Sequence, residues 1–284
     1  MSIRPLIYDT VAAALREDLL PLGDLTSHLI PEAKQVRAAF VARQRGVISG
    51  VCVVEEVIRQ VDLDLKLQVS IQEGQRVEKG DQIAEVKGKL KSVVTFERTA
   101  LNFLSHLSGV ASYTNLFVEK VKSVSDITKV LDTRKTTPGL RMLEKAAVRA
   151  GGGSNHRGSL SDAVMVKDTH LVGLDIQTAV FKARSLWPGR FVEVECETIT
   201  QVLRAAEAGS DIVMFDNMAL LEAKEAKDEL EVFARTKGSR PLIEISGGVT
   251  MENIADYAAL GVDFISLGII TNSAPSLDIG LDII

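Results

Sequence analysis

Six short runs in the second half of the chain, ITKVLDT, AVMVKD, FVEVEC, DIVMFD, LIEISG and FISLG, end on polar residues or glycine, and chemistry can gather at those ends. They supply Asp132 with Arg134 and Lys135, Lys167 with Asp168, Glu195, Asp216 with Asn217, Ser246 with Gly247 and Gly248, and Gly268. Cations on some ends and carboxylates on others suit a polyanionic substrate that also brings Mg²⁺. Arg134 can fork onto a carboxylate or phosphate, whereas Lys135 acts as a mobile point charge. Solvated charges would lie along helix faces, but these terminate apolar runs.

The stretch from Asp132 to Leu171 is dense in Arg and Lys although the whole chain carries a formal charge of -5, so an anion site would be local. Gly151, Gly152 and Gly153 permit a tight loop that presents His156 and Arg157. The ISGG run offers backbone N–H groups to a phosphate ahead of a helix, a feature many barrels share. Arg141, Lys145 and Arg149 recur every fourth residue and share a helix face, for which a solvated or subunit-facing stripe is at least as good a reading as a catalytic one. Cys196 alternates away from Glu195 and reads as a packed core thiol.

The elements that must hold these groups are repeated strand–helix units. Each run is nearly continuously apolar, as for strands covered on both faces, and the segments between, such as TITQVLRAAEAG and TMENIADYAALG, start on Thr and close on Gly as capped helices do. Six units predict an α/β barrel or near-barrel; a doubly wound open sheet is the alternative, though no glycine-rich dinucleotide turn opens it. Before Ile127 the pattern is that of a separate α+β unit, with strands near RAAFVARQRGVISG and QVSIQEGQRVEKGDQIAEVKG and a helix at CVVEEVIRQV. The paired glycines of GQRVEKGDQIAEVKG resemble half of a biotinyl or lipoyl carrier domain, but no lysine-bearing hairpin accompanies them, which makes the segment structural. A long helix, FERTALNFLSHLSGVASYTNLFVEKVK, joins the two regions.

Composition narrows the function classes. Apolar residues at 46% and charged residues at 25% describe an ordinary globular chain. The negative net charge and 5% aromatic content argue against nucleic acid and anionic membranes as partners. MSIRPLIYDTVAAALRED reads as an amphipathic helix rather than a signal peptide or membrane span. Two cysteines, Cys52 and Cys196, form no disulfide framework, and a cytoplasmic location follows as the expectation. The histidines, His28, His106, His156 and His170, have no helical metal-ligand spacing, so no zinc site is expected.

Taken together, ALREDLLPLGDLT, ERTALNFLSHLSG, DTRKTTPGLR, GGGSNHR, KDTH, EVE, DIVMFDN, ISGG and SLDIGLDI resemble the quinolinate phosphoribosyltransferase family over nearly the whole chain. The resemblance implies an N-terminal α/β sandwich over residues 1–110, completed by the tail 275–284, and an incomplete α/β barrel over 111–274. It implies phosphoribosyl transfer from phosphoribosyl pyrophosphate to quinolinate with loss of CO2, giving nicotinate mononucleotide in de novo NAD biosynthesis, with Mg²⁺ as cofactor. It further implies a homodimer or higher homo-oligomer in which Arg98 of ERT reaches the neighbour's site.

Within that resemblance, Thr133, Arg134, His156, Arg157 and Lys167 are substrate ligands and Lys135 contacts phosphoribosyl pyrophosphate in a catalytic role. Glu195 and Asp216 are the catalytic acidic pair facing the ribose and Mg²⁺–pyrophosphate. Ser246, Gly247 and Gly248, with Leu267, Gly268 and Ile269, form the 5′-phosphate loops. Thr169 stands where the family pattern has Asn, and Asn272 where it has His. A nicotinate-using sibling would need fewer carboxylate ligands. A non-catalytic phosphate- or carrier-binding module could dispense with Glu195 and Asp216, and a sugar-phosphate isomerase would need an acid–base pair poised for proton transfer.

Overall fold

The computed structural model describes residues 4–284, with side chains from Ile7 onward; Met1, Ser2 and Ile3, the expected start of the first helix, lie outside the described residues. The first elements are α1 (Arg4–Leu19), β1 (Gln35–Ala42), β2 (Gly46–Val47), α2 (Val51–Val61), β3 (Lys66–Val69), β4 (Arg76–Val77), β5 (Gln82–Lys89) and α3 (Leu90–Lys122). There follow β6 (Lys129–Leu131), α4 (Arg141–Ala150), β7 (Val164–Val166), α5 (Ile176–Leu186), β8 (Val192–Cys196), α6 (Ile199–Glu207) and β9 (Ile212–Asp216). The last are α7 (Leu220–Lys237), β10 (Leu242–Ser246), α8 (Ile254–Ala259), β11 (Phe264–Ser266), α9 (Ile269–Asn272) and β12 (Ile279–Ile283). No described helix is long and apolar enough to cross a membrane.

The chain divides into two compact units, one of Met1–Asn115, Thr136–Gly152 and Ile269–Ile284, the other of Leu116–Lys135 and Gly153–Gly268. The first unit thus includes α4, which the sequence reading assigns to the barrel. Its sheet runs β12-β1-β5-β3, all antiparallel, with Ala38 opposite Ile283 and Val86. The carrier-like segment supplies β4, paired with β2, and the interior strand β5, so its glycine turns serve a sheet. Phe40 of β1 stacks on Phe96 of α3, with ring centroids 6.3 Å apart and both side chains fully buried, which anchors helix to sheet. Lys145 of α4 is buried while Arg149 is exposed, so the basic face of that helix is not a uniformly solvated stripe.

The second unit is a six-stranded sheet in the order β6-β11-β10-β9-β8-β7, with every pairing parallel. That order is the chain order written round a circle and broken between β6 and β7, which makes this an incomplete α/β barrel. The expected strands all form, each trimmed by a residue or more at its ends. Thr198 and Gln201 build a reciprocal cap at the start of α6, as the Thr-first pattern predicts. The second Thr-first helix differs: α8 begins after Asn253, whose side chain accepts the Thr250 N–H at 2.7 Å, so a turn takes the place of its first turn. Beneath the strands, Asp211 accepts the Val192 N–H and pairs with Arg184, and Asp263 accepts the Ile243 N–H and pairs with Arg240. These ion pairs lie at the amino ends of the strands, away from the ends that carry chemistry.

In the first unit the tail crosses α3 at Gly109, where an added Cβ would lie 2.2 Å from the Pro275 carbonyl oxygen. Gly109→Val should therefore push the tail off α3 and destabilise the protein by about 1–3 kcal/mol. Urea unfolding followed by circular dichroism checks this, and an unchanged midpoint would contradict the close approach.

Candidate active site

The inner face of the parallel sheet is set by the two-residue period of a strand. Residues at the carboxyl ends and those two positions earlier therefore point the same way: Met165 with Lys167, Glu193 with Glu195, Met214 with Asp216, and Glu244 with Ser246. All of these except Glu193 line one cavity of about 580 Å³, together with Thr133, Arg134, Lys135, His156, Arg157, Gly247 and Gly248. Leu267 is buried and not part of the lining, Ile269 opens α9 in the first unit, and Arg98 lies on α3 in the first unit. Gly268 contributes by absence of a side chain, since a Cβ there would come 2.8 Å from Lys135 Cδ.

The loop between α4 and β7 is held against β6. Ser154 bridges Leu131 in parallel fashion, and its N–H reaches the Val130 carbonyl at 2.8 Å. Asp132, fully buried, accepts the His156 N–H at 2.9 Å and the Asn155 side-chain amide at 2.5 Å. Asp132 therefore organises the loop rather than facing substrate. That loop carries Arg157, whose guanidinium reaches the Ala163 carbonyl and Met165 Sδ, each at 3.3 Å. Burial, and then the neighbouring Arg134, hold the Arg157 pKa below its usual value. Two guanidinium groups crowded at one wall favour an anion between them.

The opposite side carries the carboxylates. Lys167 Nζ donates to Glu195 Oε2 at 2.7 Å, and the Lys167 N–H is held by His170 Nδ1 at 3.0 Å, so the KDTH motif works by having its histidine fix the lysine backbone. Thr169 is exposed and its N–H donates to Asp168. Asp216 receives the Asn217 amide at 2.9 Å, and Asn217 adopts a left-handed φ of 55° to reach it. Gly247, at φ 80°, packs so closely on Asn217 that a Cβ would fall 2.2 Å from Asn217 Oδ1. The ISGG run needs glycine there on both counts. Asn272 lies in the first unit and accepts a hydrogen bond from the Ser273 hydroxyl. Cys196 is buried, and burial pushes its thiol up to about 12, in keeping with a core role.

Glu193 and Glu244 went unnoticed in the sequence, although their positions two residues before Glu195 and Ser246 signal the same inward face. Both are buried, and His156 Nε2 lies 2.9 Å from Glu193 Oε2 and 3.3 Å from Glu244 Oε2. These three side chains place ligand-type atoms within 4.8 Å of one another. Burial and the adjacent Glu244 push Glu193 up to about 6, with His156 pulling the other way. Burial opposes charge on His156, but the two carboxylates outweigh it and raise the ring to about 10. The Arg157 N–H donates to His156 Nδ1 at 2.7 Å, a bond that only the neutral ring can accept; it opposes that rise and keeps the ring proton on Nε2.

Similar proteins match this arrangement along almost the whole chain. Residues 24–108 match the family model for the quinolinate phosphoribosyl transferase N-terminal domain, and 110–282 that for the C-terminal domain. A probable nicotinate-nucleotide pyrophosphorylase (carboxylating) of Archaeoglobus fulgidus is 41% identical over 269 residues, covering 93% of this chain and 100% of that protein. Its Bacillus subtilis counterpart, also named as probable, is 40% identical over 265 residues, covering 92% and 88%. The solved structure of the nicotinate-nucleotide pyrophosphorylase from Francisella tularensis superposes with a TM-score of 0.92 at 36% identity, covering 100% of this chain and 98% of that one. With both of its halves matched and a relative above 40% identity over its full length, the chain belongs to the quinolinate phosphoribosyl transferase family.

Proposed function

We propose that this protein transfers the phosphoribosyl group of phosphoribosyl pyrophosphate to quinolinate and releases CO2 and pyrophosphate, yielding nicotinate mononucleotide for NAD biosynthesis. The observation that carries the reading is the single cavity in which Arg134, Lys135, Arg157 and Lys167 face Glu195 and Asp216. Four cations suit two substrates that together bring two carboxylates, a phosphate and a pyrophosphate. Arg134 and Arg157 are assigned to the quinolinate carboxylates with Lys167 nearby, Lys135 to the pyrophosphate side, and Thr133 and the Ser246–Gly248 turn to phosphate oxygens, with Leu267, Gly268 and Ile269 shaping the neighbouring loop.

The attacking pyridine nitrogen already has a lone pair, so no general base is required. As the bond from the anomeric carbon to pyrophosphate loosens, positive charge builds on the ribose, and the Glu195 and Asp216 carboxylates stabilise it at fixed positions. Holding both reactants together can supply about 7–11 kcal/mol of the barrier reduction. Once the new C–N bond has formed, the cationic pyridinium accepts the electron pair left by the departing carboxylate, and a proton replaces CO2 on the ring. Glu195 and Asp216, hard oxygen donors on neighbouring strands, would hold a Mg²⁺ that accompanies pyrophosphate, and the ion would neutralise charge on the leaving group. Lys167, now on Glu195, would have to share or release that carboxylate.

The same reading includes a homodimer in the cytoplasm, with Arg98 of one subunit serving the cavity of the other. Its support is the ERT motif on α3 and the two free thiols, Cys52 and Cys196.

An assay with quinolinate, phosphoribosyl pyrophosphate and Mg²⁺ should give nicotinate mononucleotide and CO2 in equal amounts, with no turnover of nicotinate. Nicotinate turnover without CO2 would transfer the protein to the sibling activity. Glu195→Gln and Asp216→Asn should each lower kcat by roughly 10²–10³, with unchanged thermal unfolding, as single-turnover kinetics would show. Subunits carrying Arg98→Ala and subunits carrying Lys135→Ala should each be inactive, yet regain activity when unfolded and refolded together. No recovery in verified mixed dimers would remove the shared site.

A further inference from the structure

Glu193 and Glu244 are carboxylates buried below the cavity, and the chemistry above does not use them. Glu193 Oε1 and both oxygens of Glu244 have no hydrogen-bond donor placed on them among the described residues; their shared neighbour is His156 Nε2, at ion-pair distance from each. Facing two carboxylate oxygens, Nε2 can only serve as a donor. The other ring nitrogen accepts the Arg157 N–H, and the His156 N–H is itself tied to Asp132. The imidazole is thus gripped from below and in turn holds the backbone from which the Arg157 guanidinium rises. Both carboxylates sit in barrel strands, β8 and β10, whose parallel pairing through β9 fixes them laterally. A loop at the open seam of the barrel is thereby referenced to the interior strands of its sheet.

We infer that Glu193 and Glu244 are positioning residues for substrate recognition: through His156 they set the placement of Arg157, and so the affinity for the aromatic dicarboxylate. This rests on the quinolinate reading above, and deepens it by dividing the two substrates. The dicarboxylate, assigned to Arg134 and Arg157, depends on the buried pair, whereas the pyrophosphate side, assigned to Lys135, does not. An acceptor at each position is what the ring requires. Glutamine should therefore preserve much of what alanine destroys, because its side-chain carbonyl can still accept from Nε2.

The test uses the purified full-length protein and the variants Glu193→Gln, Glu244→Gln, Glu193→Ala and Glu244→Ala. In the alanine variants the KM for quinolinate should rise on the order of tenfold or more, while the KM for phosphoribosyl pyrophosphate stays within about twofold; the glutamine variants should fall between these and wild type. Independently of turnover, ¹⁵N NMR of histidine-labelled protein, assigned with His156→Asn, should show Nε2 of His156 protonated in the wild type and the ring exchanging between tautomers when either glutamate is replaced by alanine. An alanine variant that does not fold leaves the comparison to its glutamine partner, which keeps volume and shape. Equal rises in both KM values alongside a lowered unfolding temperature, or an unchanged His156 signal, would overturn the proposal. So would a metal ion retained by the wild type after chelation and displaced by either substitution, because the ring would then be its ligand. Wild-type inactivity toward quinolinate would count against the functional reading alone, with the NMR comparison still deciding whether the glutamates anchor the ring.

Discussion

A parallel barrel with one strand pairing missing has to hold its open seam by other means, and here the means is the carboxylate of Asp132. Between β6 and β7 there is no ladder; the chain leaving α4 instead lies beside β6 through a bridge at Ser154 and the bonds that Asp132 accepts from Asn155 and His156. A buried carboxylate needs donors in place of the water it loses, and here a backbone N–H and a side-chain amide supply them. The positions of His156 and Arg157 follow from that arrangement, and with them one wall of the cavity. Breaking it would take those donors from a buried carboxylate and free the loop at once, which ties the stability of the seam to the geometry of the site.

The cavity also shows how a chain of net charge -5 handles anionic substrates. Its cations are concentrated at the mouth, and carboxylates lie both among them and beneath them. Glu195 tethers Lys167 at 2.7 Å, which fixes the ammonium beside that carboxylate. Arg157 is held below its usual pKa by burial and by the neighbouring Arg134, so the wall the two share favours an incoming anion. Electrostatic preorganisation of this kind is costly to fold and useful afterwards, since no reorientation is needed when charge develops.

Much of this was legible in the residues. The six apolar runs, their polar endings and the Thr-to-Gly helices follow from periods of two and 3.6 and from capping chemistry, all local properties. That Lys167, Glu195, Asp216 and Ser246 converge follows as well, because parallel strands end on one side of the sheet. The same alternation would have exposed Glu193 and Glu244, but a charged residue inside an apolar run reads as an interruption until the strand is seen to have a polar interior face.

Other features depended on contacts between distant segments, and no local pattern announces them. The assignment of α4 to the first unit rests on long-range packing. So does the close passage of the tail over Gly109, which looks from sequence like any helix-weakening glycine. Asp132 and His156 were both legible as polar groups near the mouth; which would face the cavity and which would hold the loop was settled by hydrogen bonds spanning more than twenty residues. The sequence by itself determined the strands, the order of their charged ends and the family, because those are carried by residue type and short spacing. Tertiary structure alone decided which of the charges are buried and what each holds in place, because desolvation and hydrogen-bond geometry exist only once remote parts of the chain have met.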